Sequence, residues 1–239
     1  IRSDIADLKY LPDCDYVINT AAETHVGNSI IDSKDFLKSN INGVQNLLDL
    51  IKAKPNNVDN RPILFHFSTD EVYGDIVEGD HYETDHLNPS NPYSASKAAA
   101  DMLITAWART YGIEYIIFRP TNNYGEYQYP EKLIPLSVKA LMRGMKIKLH
   151  DEGKPVRNWL HAEDTASAVI SIVNSGKTNE IYNIAGGFEQ ENRETVKKII
   201  ECFHGKDINW LDYVDLGHKR QGQDVSYALN DDKLRSLGW

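Results

Sequence analysis

The stretch PILFHFSTDEVYG, at residues 62–74, joins a run of apolar and aromatic residues to a threonine and two acidic residues. A short apolar run bounded by proline and glycine predicts a buried β-strand over 62–69. Thr69, Asp70 and Glu71 come where that strand ends, and ligands of α/β proteins bind at the carboxyl ends of parallel strands. The two neighbouring carboxylates are therefore candidates for an acid and a base, the alternative being a solvated turn.

On either side of this strand, apolar runs alternate with amphipathic stretches. Short apolar runs at 16–20 and 113–120 predict two more buried strands. Apolar residues at helical spacing predict a helix over 33–53, and an alanine-rich stretch between a proline and a glycine predicts another over 93–112. Apolar strands alternating with helices are typical of a parallel sheet covered on both faces. The sequence predicts an α/β protein with a doubly wound, Rossmann-type parallel sheet.

The second half of the chain has a mixed α+β pattern, which predicts a smaller second lobe. We therefore expect a first domain at 1–120 and a substrate lobe at 121–239, with the helix at 161–176 packing back on the first domain. Asn230 is a candidate N-cap for the last helix. The elements predicted here are a loop at 121–132, helices at 133–144, 161–176, 193–203 and 230–239, and strands at 146–150 and 180–187.

Composition narrows the function classes. The chain is 41% hydrophobic and 26% charged, as in ordinary globular proteins, and no apolar run approaches the roughly 20 residues of a membrane span. A net charge of −9 argues against a nucleic-acid surface. Cys14 and Cys202 lie far apart and outside any Cys-x-x-Cys pair, which predicts a reducing, cytoplasmic setting. The histidines show no ligand spacing, so we expect no metal.

Tyr93 and Lys97 lie four residues apart in a predicted helix and therefore share a face. A phenol has an ordinary pKa of about 10, which is too high for a base at neutral pH. A lysine ammonium nearby favours the phenolate and lowers that pKa towards the working range. The pair suits removal of a proton from an alcohol as hydride leaves its carbon. A surface pair is the alternative, since many helices carry Tyr and Lys at this spacing.

Five motifs occur in order along the chain: INTAAETHV (18–26), STDEVYG (68–74), NPYSASKAAAD (91–101), RPTNNYGEYQYPEKLIP (119–135) and GKPVRNWLHAEDTASAV (153–169). Together they resemble the extended short-chain dehydrogenase/reductase family, and more specifically its nucleotide-sugar 4,6-dehydratases. The resemblance runs from about residue 4 to the C-terminus. It implies an NAD-dependent hydro-lyase that converts a nucleoside-diphosphate glucose, carrying dTDP or UDP, into the 4-keto-6-deoxy sugar.

The resemblance also implies a role for each candidate catalytic residue. Tyr93 would take the proton of the sugar 4-hydroxyl while hydride passes from C4 to NAD+. Glu71 would remove the C5 proton, and protonated Asp70 would give a proton to the departing 6-hydroxyl, after which hydride returns to C6. Thr69 would hydrogen-bond the 4-oxygen, and Lys97 would support Tyr93 and a ribose hydroxyl. Two adjacent carboxylates in different protonation states suit this task.

Binding residues and partners are implied in the same way. The expected partner is the nucleotide sugar, with no nucleic acid and no membrane. Relatives form homodimers through two helices per subunit, here 33–53 and 93–111. The predicted cofactor residues are Asp4, Ile5, Ala21, Ala22, Glu23, Tyr93 and Lys97. The predicted substrate residues are Thr69, Asn122, Glu131, Lys132, Arg157 and Arg220, with Arg157 and Arg220 facing the diphosphate.

Two rival functions remain open at this point. One is a nucleotide-sugar 4-epimerase or decarboxylase of the same superfamily, which Asp70 opposes because these relatives do not carry Asp-Glu at this place. The other is a non-catalytic sugar-nucleotide-binding relative. Two departures from the family pattern favour the latter slightly: the expected glycine-rich N-terminal segment is missing, and RQGQDVSY at 220–227 lacks a histidine and two arginines of the usual segment. Gly27 is a further departure, since the family often has an acidic residue there.

No glycine-rich Gly-x-x-Gly-x-x-Gly turn precedes the strand at 16–20. In a Rossmann-type fold this turn and the helix after it hold the dinucleotide pyrophosphate. We therefore expect that the opening strand–helix–strand lies outside this chain, and that the chain alone binds NAD weakly.

Overall fold

A computed structural model describes residues 4–55, 61–76, 78–219 and 228–239. The strands are β1 (Tyr16–Asn19), β2 (Ile63–Phe67), β3 (Tyr115–Pro120), β4 (Asn122–Tyr124), β5 (Ile147–His150), β6 (Val156–His161), β7 (Glu180–Ile184), β8 (Glu189–Glu191) and β9 (Val214–His218). The helices are α1 (Val26–Ile31), α2 (Lys34–Phe36), α3 (Gly43–Lys52), α4 (Pro92–Tyr111), α5 (Leu133–Met142), α6 (Ala162–Ser175), α7 (Asn192–His204) and α8 (Asp232–Arg235). None of the helices in these ranges is long and apolar enough to cross a membrane.

The main sheet has four parallel strands in the order β1-β2-β3-β7. Alternate residues of β3 face opposite sides, as the two-residue period of a strand requires. Ile117 packs with α3 and α4 on one face, whereas Ile116 and Phe118 pack with α6 and Leu234 of α8 on the other. Helices therefore cover both faces of the sheet, and the prediction of a doubly wound α/β fold is confirmed.

Strand β1 is at the edge of the sheet, and its prediction as a buried strand is wrong. Val17 packs against the cluster beneath α3 and α4, but Tyr16 and Ile18 on the opposite face are 50% and 59% exposed. The cluster completed by α6 takes its strand residues from β2, β3, β6 and β7 and none from β1, so the described elements leave that face of β1 largely open. The position of the strand in the sheet, rather than its composition, sets its burial.

The second half contains strands that the sequence did not reveal. β4, β6 and β8, none of them predicted, form a mixed three-stranded sheet, and β5, which was predicted at 146–150, pairs with the unpredicted β9. β4 lies inside the predicted loop at 121–132, where three residues are too short to show a period. Helices α5 and α7 cover a third cluster, built around Leu141, Ile147 and Ile200. The domain boundary at residue 120 stays a prediction, and α6 and β7 from beyond it pack within the main sheet layer.

The last helix is shorter than the predicted span of 230–239. α8 covers Asp232–Arg235 only, and its N-cap is Asp231 rather than Asn230. The side chain of Asn230 still accepts a hydrogen bond from the Asp232 backbone N–H at 3.0 Å. Gly238 follows with a positive φ of 94°, a backbone state that favours glycine and ends the helical segment.

A π-helical segment and a helix N-terminal capping box fix two parts of the backbone near the carboxyl ends of the main-sheet strands. α2 and α3 form one helix with a π-helical segment between them, Leu37–Asn42, which matches the predicted helix at 33–53. At that segment buried Asn40 accepts from the Glu23 N–H (2.9 Å) and donates to the Glu23 carbonyl (3.0 Å), so it fixes the loop after β1. α4 begins with a capping box of Asn91 and Ser94, which fixes the turn that carries the candidate base.

Candidate active site

A cavity of about 590 Å³ lies at the carboxyl ends of the main-sheet strands, between the sheet and the second half of the chain. This is the place where parallel α/β sheets bind ligands. Both halves contribute predicted site residues to its wall. They are Thr69, Asp70, Glu71 and Tyr93 from the first half, and Asn122, Glu131, Lys132 and Arg157 from the second.

Thr69 lies two residues after β2 and is the N-cap of a 3₁₀ turn, Asp70–Val72. Its hydroxyl accepts a hydrogen bond from the Glu71 N–H at 3.3 Å and donates to Asp70 Oδ1 at 3.0 Å. The same hydroxyl hydrogen-bonds the phenol of Tyr93 and so opposes the rise in its pKa. Thr69 therefore links the predicted acid with the predicted base of the oxidation.

Asp70 is only 1% exposed. Burial raises the pKa of its carboxyl from 3.8 to about 7, and the negative charge of Glu71 adds to the rise. Hydrogen bonding from Thr69 and the positive charge of Arg157 act in the opposite direction. Oδ2 is buried and has no hydrogen-bond partner among the described residues. A carboxyl group in this state carries a proton near neutral pH, as a general acid must.

Tyr93 and Lys97 occupy the first two turns of α4, and both are buried. Burial, and then the carboxylate of Glu71, raises the pKa of the Tyr93 phenol. The Nζ of Lys97 donates to the Phe67 carbonyl at 2.6 Å and lies 3.3 Å from Nε2 of His66. We expected the lysine to lower the pKa of the phenol, but its described contacts are on the β2 side. Tyr93 is therefore protonated in this arrangement.

A buried charged network lies behind these residues. Asp101 of α4 pairs with Arg119 of β3 at 3.0 Å, and Asp101 also accepts from the Ser68 hydroxyl at 3.0 Å. Arg119 donates to the hydroxyl of Tyr73, which in turn donates to Asn183 of β7. The sequence analysis missed this network. The sequence feature that could have predicted it is one charged residue in each of two otherwise apolar elements, Asp101 in AAAD and Arg119 in YIIFRP. Charged side chains are almost never fully buried unless they are paired, so these two residues are candidates for an ion pair.

A second cavity, of about 340 Å³, lies beside the loop after β1. Predicted cofactor residues Asp4, Ile5, Ala21 and Glu23 line it, whereas Ala22 does not. The backbone N–H of Ala6 and an ion pair with Lys38, at 3.0 Å, lower the pKa of Asp4 and keep its carboxylate charged. An anionic acceptor beside a small pocket at a strand end fits the hydroxyl-rich adenosine end of a dinucleotide. The residues present therefore fit that end of NAD.

The substrate side of the main cavity is formed by the second half. Asn122 of β4 has a buried Oδ1 without a hydrogen-bond partner in the described part of the chain. Nζ of Lys132 donates to the Thr24 carbonyl at 3.0 Å and so joins the two walls of the cavity. Arg157 of β6 lies close enough to lower the pKa of Asp70. Arg220, and the altered segment at 220–227, lie outside the described residues.

Residues 2–185 match the NAD dependent epimerase/dehydratase family. The match covers more than half of the chain, and the chain belongs to this family. The predicted membership of the extended short-chain dehydrogenase/reductase family is thereby confirmed, and the family is NAD-dependent.

Within this family, the chain is similar to the following three proteins, among others. A dTDP-glucose 4,6-dehydratase of Neisseria meningitidis is 41% identical over 245 residues, which are 97% of this chain and 68% of the relative. The low-salt glycan biosynthesis protein Agl12 of Haloferax volcanii is 37% identical over 243 residues, which are 100% of this chain and 76% of that protein. DesIV, a dTDP-glucose 4,6-dehydratase of Streptomyces venezuelae solved with NAD bound, superposes with a TM-score of 0.87 at 38% identity, over 94% of this chain and 67% of DesIV.

Proposed function

We propose that the protein is an NAD-dependent nucleotide-sugar 4,6-dehydratase, with dTDP-glucose as its substrate and UDP-glucose as the second candidate. The observation that carries the proposal is Asp70, a buried acid with a pKa of about 7 that lies next to Glu71 on the wall of one cavity with Tyr93. The named 4,6-dehydratases among the relatives support it at 38–41% identity.

The predicted site residues offer a candidate for each step of the reaction. Tyr93 would receive the proton of the sugar 4-hydroxyl as a phenolate, so it must first lose the proton that it carries in this arrangement, and Thr69 would hydrogen-bond the same oxygen. The resulting 4-ketone acidifies the C5 proton, which Glu71 removes as base. Asp70, about half protonated at pH 7, gives its proton to the 6-hydroxyl, so that water leaves and a C5–C6 double bond remains. NAD, when bound, supplies the hydride acceptor at C4 and the hydride donor at C6.

The dinucleotide and the sugar nucleotide would contact opposite walls of the site. Asp4 and Ile5, with Ala21, Ala22 and Glu23, would hold the adenosine end, and Lys97 the nicotinamide ribose. Asn122, Glu131 and Lys132 would contact the sugar nucleotide. Arg157 and Arg220 would pair with its diphosphate, since guanidinium groups suit phosphate oxygens.

The epimerase alternative requires only the oxidising part of this site. An epimerase removes hydride and returns it, so it has no leaving hydroxyl to protonate. Burying the Asp70 carboxyl group to 1% exposure costs folding free energy, which a functional role would explain. Asp70 therefore favours dehydration over epimerisation, decarboxylation or simple binding.

The deciding experiment incubates the full-length protein with NAD+ and either dTDP-glucose or UDP-glucose in deuterium oxide. We expect the 4-keto-6-deoxy sugar in NMR spectra, with solvent deuterium at C5 because Glu71 exchanges its proton with water. A 4-epimer as the product would support the epimerase reading. Absence of any product from both substrates would overturn the assignment to catalysis.

We further propose that the enzyme is a cytoplasmic homodimer. Two helices of each subunit, one at 34–52 and one at 92–111, would pack into a four-helix bundle. Leu37 and Met102 support this, because they are 45% and 65% exposed on these helices although both are apolar.

A further inference from the structure

Strand β6 orders the main cavity from one end to the other. Every second residue along it lines the cavity, beginning with Pro155 just before the strand and continuing with Arg157 and Trp159, as the two-residue period of a strand requires. Trp159 pairs with Asn122, which lies two residues after the end of β3 in the main sheet. The Pro155 carbonyl accepts from the Asn192 N–H at 3.0 Å. The row therefore leads from Asn192, at the start of α7, to the carboxyl ends of the main-sheet strands.

If the proposed function holds, this order decides how the nucleotide sugar lies in the cavity. Asp70 and Glu71 are at the main-sheet end, so the sugar lies there, and Arg157 in the middle of the row faces the diphosphate. The nucleoside then reaches the end at Asn192. Oδ1 of Asn192 is buried and has no hydrogen-bond partner among the described residues. A buried acceptor in this state fits a ligand with donor groups, such as the hydroxyl and N–H groups of a nucleoside.

Lys148 of β5 lies at this nucleoside end of the cavity. β5 leads into a 3₁₀ turn, Asp151–Gly153, whose last residue lies against Arg193 in the first turn of α7. Ile147 and Leu149 on either side of Lys148 are buried in the cluster beneath α5 and α7. Because side chains alternate along a strand, Lys148 faces the opposite way, and it lines the cavity.

The ammonium group of Lys148 makes no hydrogen bond or ion pair in the part of the chain that the structure describes. Asp215 lies opposite it on β9, but this carboxylate already accepts from the Gly217 N–H at 3.1 Å and lies 3.0 Å from Nε2 of His218. Lys148 acts on Asp215 only through its charge, from beyond ion-pair distance. A cation without a partner on a concave wall attracts anionic ligands.

We propose that Lys148 binds the phosphate next to the nucleoside, while Arg157 takes the phosphate next to the sugar. The order along the cavity supports this, because Arg157 lies between Lys148 and the main-sheet end, where its charge already acts on Asp70. A cation gains more from an anionic phosphate oxygen than from a neutral carbonyl oxygen of the base. The flexible stem of a lysine lets its ammonium group follow such an anion. Lys148 is therefore a specificity-determining residue for phosphorylated nucleosides.

The test measures binding of thymidine, dTMP and dTDP to the full-length protein, so it needs no turnover. Isothermal calorimetry gives the dissociation constants of dTMP and dTDP, and a ligand-observed NMR titration gives that of thymidine. We expect Lys148→Gln to weaken dTMP and dTDP each by about 10-fold or more and to leave thymidine unchanged. Arg157→Gln should weaken dTDP more than dTMP, because dTMP lacks the phosphate next to the sugar.

Two variants control for charge and for folding. Lys146→Gln removes the same charge from an exposed lysine two positions earlier, outside the wall of the cavity, and should leave all three dissociation constants unchanged. Lys148→Arg keeps the positive charge and should keep most of the affinity for dTMP and dTDP. The same series with uridine, UMP and UDP should give the same changes, since Lys148 contacts the phosphate rather than the base.

Four results would overturn the inference. An equal loss for thymidine would place Lys148 at the base or ribose, and a loss for dTDP without one for dTMP would place it at the phosphate next to the sugar. The others are no loss in Lys148→Gln relative to Lys146→Gln, and no binding of any of these nucleotides by the unaltered protein. The dehydratase assay fails separately: a protein that forms no 4-keto-6-deoxy sugar but loses dTMP affinity in Lys148→Gln would still support the phosphate contact.

Discussion

At Asp70 the fold withdraws a carboxyl group from water and leaves Oδ2 without a hydrogen-bond partner among the described residues. Its neighbour Glu71 lies partly exposed one position along the same 3₁₀ turn. Adjacent positions in sequence thus provide two different environments within one cavity. Separate environments are what allow one carboxyl group to act as an acid and the other as a base.

Asp70→Asn should block the loss of water from the sugar but leave the oxidation at C4 intact. The amide keeps the size of the side chain and still accepts from Thr69, but it has no acidic proton to give. General acids contribute about 10²–10⁴ in rate, so we expect turnover to the 4-keto-6-deoxy sugar to fall by that factor. Oxidation at C4, followed by the absorbance of reduced cofactor in a single turnover, should persist. Asp80→Asn, at an exposed position, is the control, and equal turnover in both variants would remove Asp70 from the mechanism.

The same substitution should change stability in a pH-dependent way. The pKa of Asp70 is raised from 3.8 to about 7 by folding, so the folded state favours the protonated carboxyl, and that contribution is lost as pH rises between these values. The amide that replaces this carboxyl does not ionise. We therefore expect the unfolding free energy of Asp70→Asn, relative to the unaltered protein, to be about 3 kcal/mol higher at about pH 8 than at about pH 4.5. Urea denaturation at both pH values measures this, and a pH-independent difference would contradict the shift.

The site residues that could be predicted from the sequence are those that lie within a recognisable local pattern. Thr69, Asp70 and Glu71 follow an apolar strand, and Tyr93 shares a motif with Lys97, so their convergence followed from parallel strand order alone. His66 was not found, because a single histidine inside a buried strand has the same pattern as a packed core residue. Its contact with the Asn19 amide, which the Ala21 N–H orients, depends on distances that no pattern in the sequence encodes.

At the scale of elements, the π-helical segment between α2 and α3 brings Asn40 into the interior. The extra residue in the turn rotates the side chain towards the loop after β1, where it hydrogen-bonds both backbone groups of Glu23 and the hydroxyl of Ser96. The helix at 33–53 was predicted correctly from its apolar spacing. The π segment was not, since a local change of hydrogen-bond register leaves that spacing nearly intact.

Asn40→Asp should loosen this loop. The carboxylate still accepts from the Glu23 N–H but cannot donate to the Glu23 carbonyl or to Ser96, which leaves buried acceptors unpaired. We expect a loss of about 1–3 kcal/mol in unfolding free energy, measured by urea denaturation. Asn42→Asp lies exposed on the same helix and should cost far less. Equal losses in the two variants would mean that the hydrogen bonds of Asn40 do not hold the loop.

The ion pair between Asp101 of α4 and Arg119 of β3 connects two elements under the site. Arg119→Met leaves a buried carboxylate without its cation, so we expect a loss of about 3–5 kcal/mol in unfolding free energy. Adding Asp101→Leu removes the unpaired carboxylate and should restore part of the lost unfolding free energy. Arg109→Met, exposed on α4, is the control. A double variant as unstable as Arg119→Met alone would show that lost packing, not charge, sets the cost.

At the scale of the whole molecule, the proposed dimer makes Met102 an interface residue. Met102→Glu places a charge in the bundle twice, once from each subunit, and burying a methionine side chain is worth about 1.5–3 kcal/mol. We expect the dissociation constant to rise at least about 100-fold, measured by sedimentation or light scattering. Met142→Glu makes the same change on α5, where Met142 is 73% exposed outside the predicted interface. A monomeric unaltered protein, or dissociation by both variants alike, would contradict the proposed bundle.

The order in which the chain supplies the main sheet has a consequence for its synthesis. β3 pairs with β7, and the face formed by Ile116 and Phe118 is closed by α6 and by Leu234 of α8. These partners leave the ribosome long after β3 does. Contacts this distant along the chain slow folding and leave apolar surface open to aggregation in the meantime. One face of the sheet that carries the proposed acid and base is therefore fully covered only after residue 234 has been made.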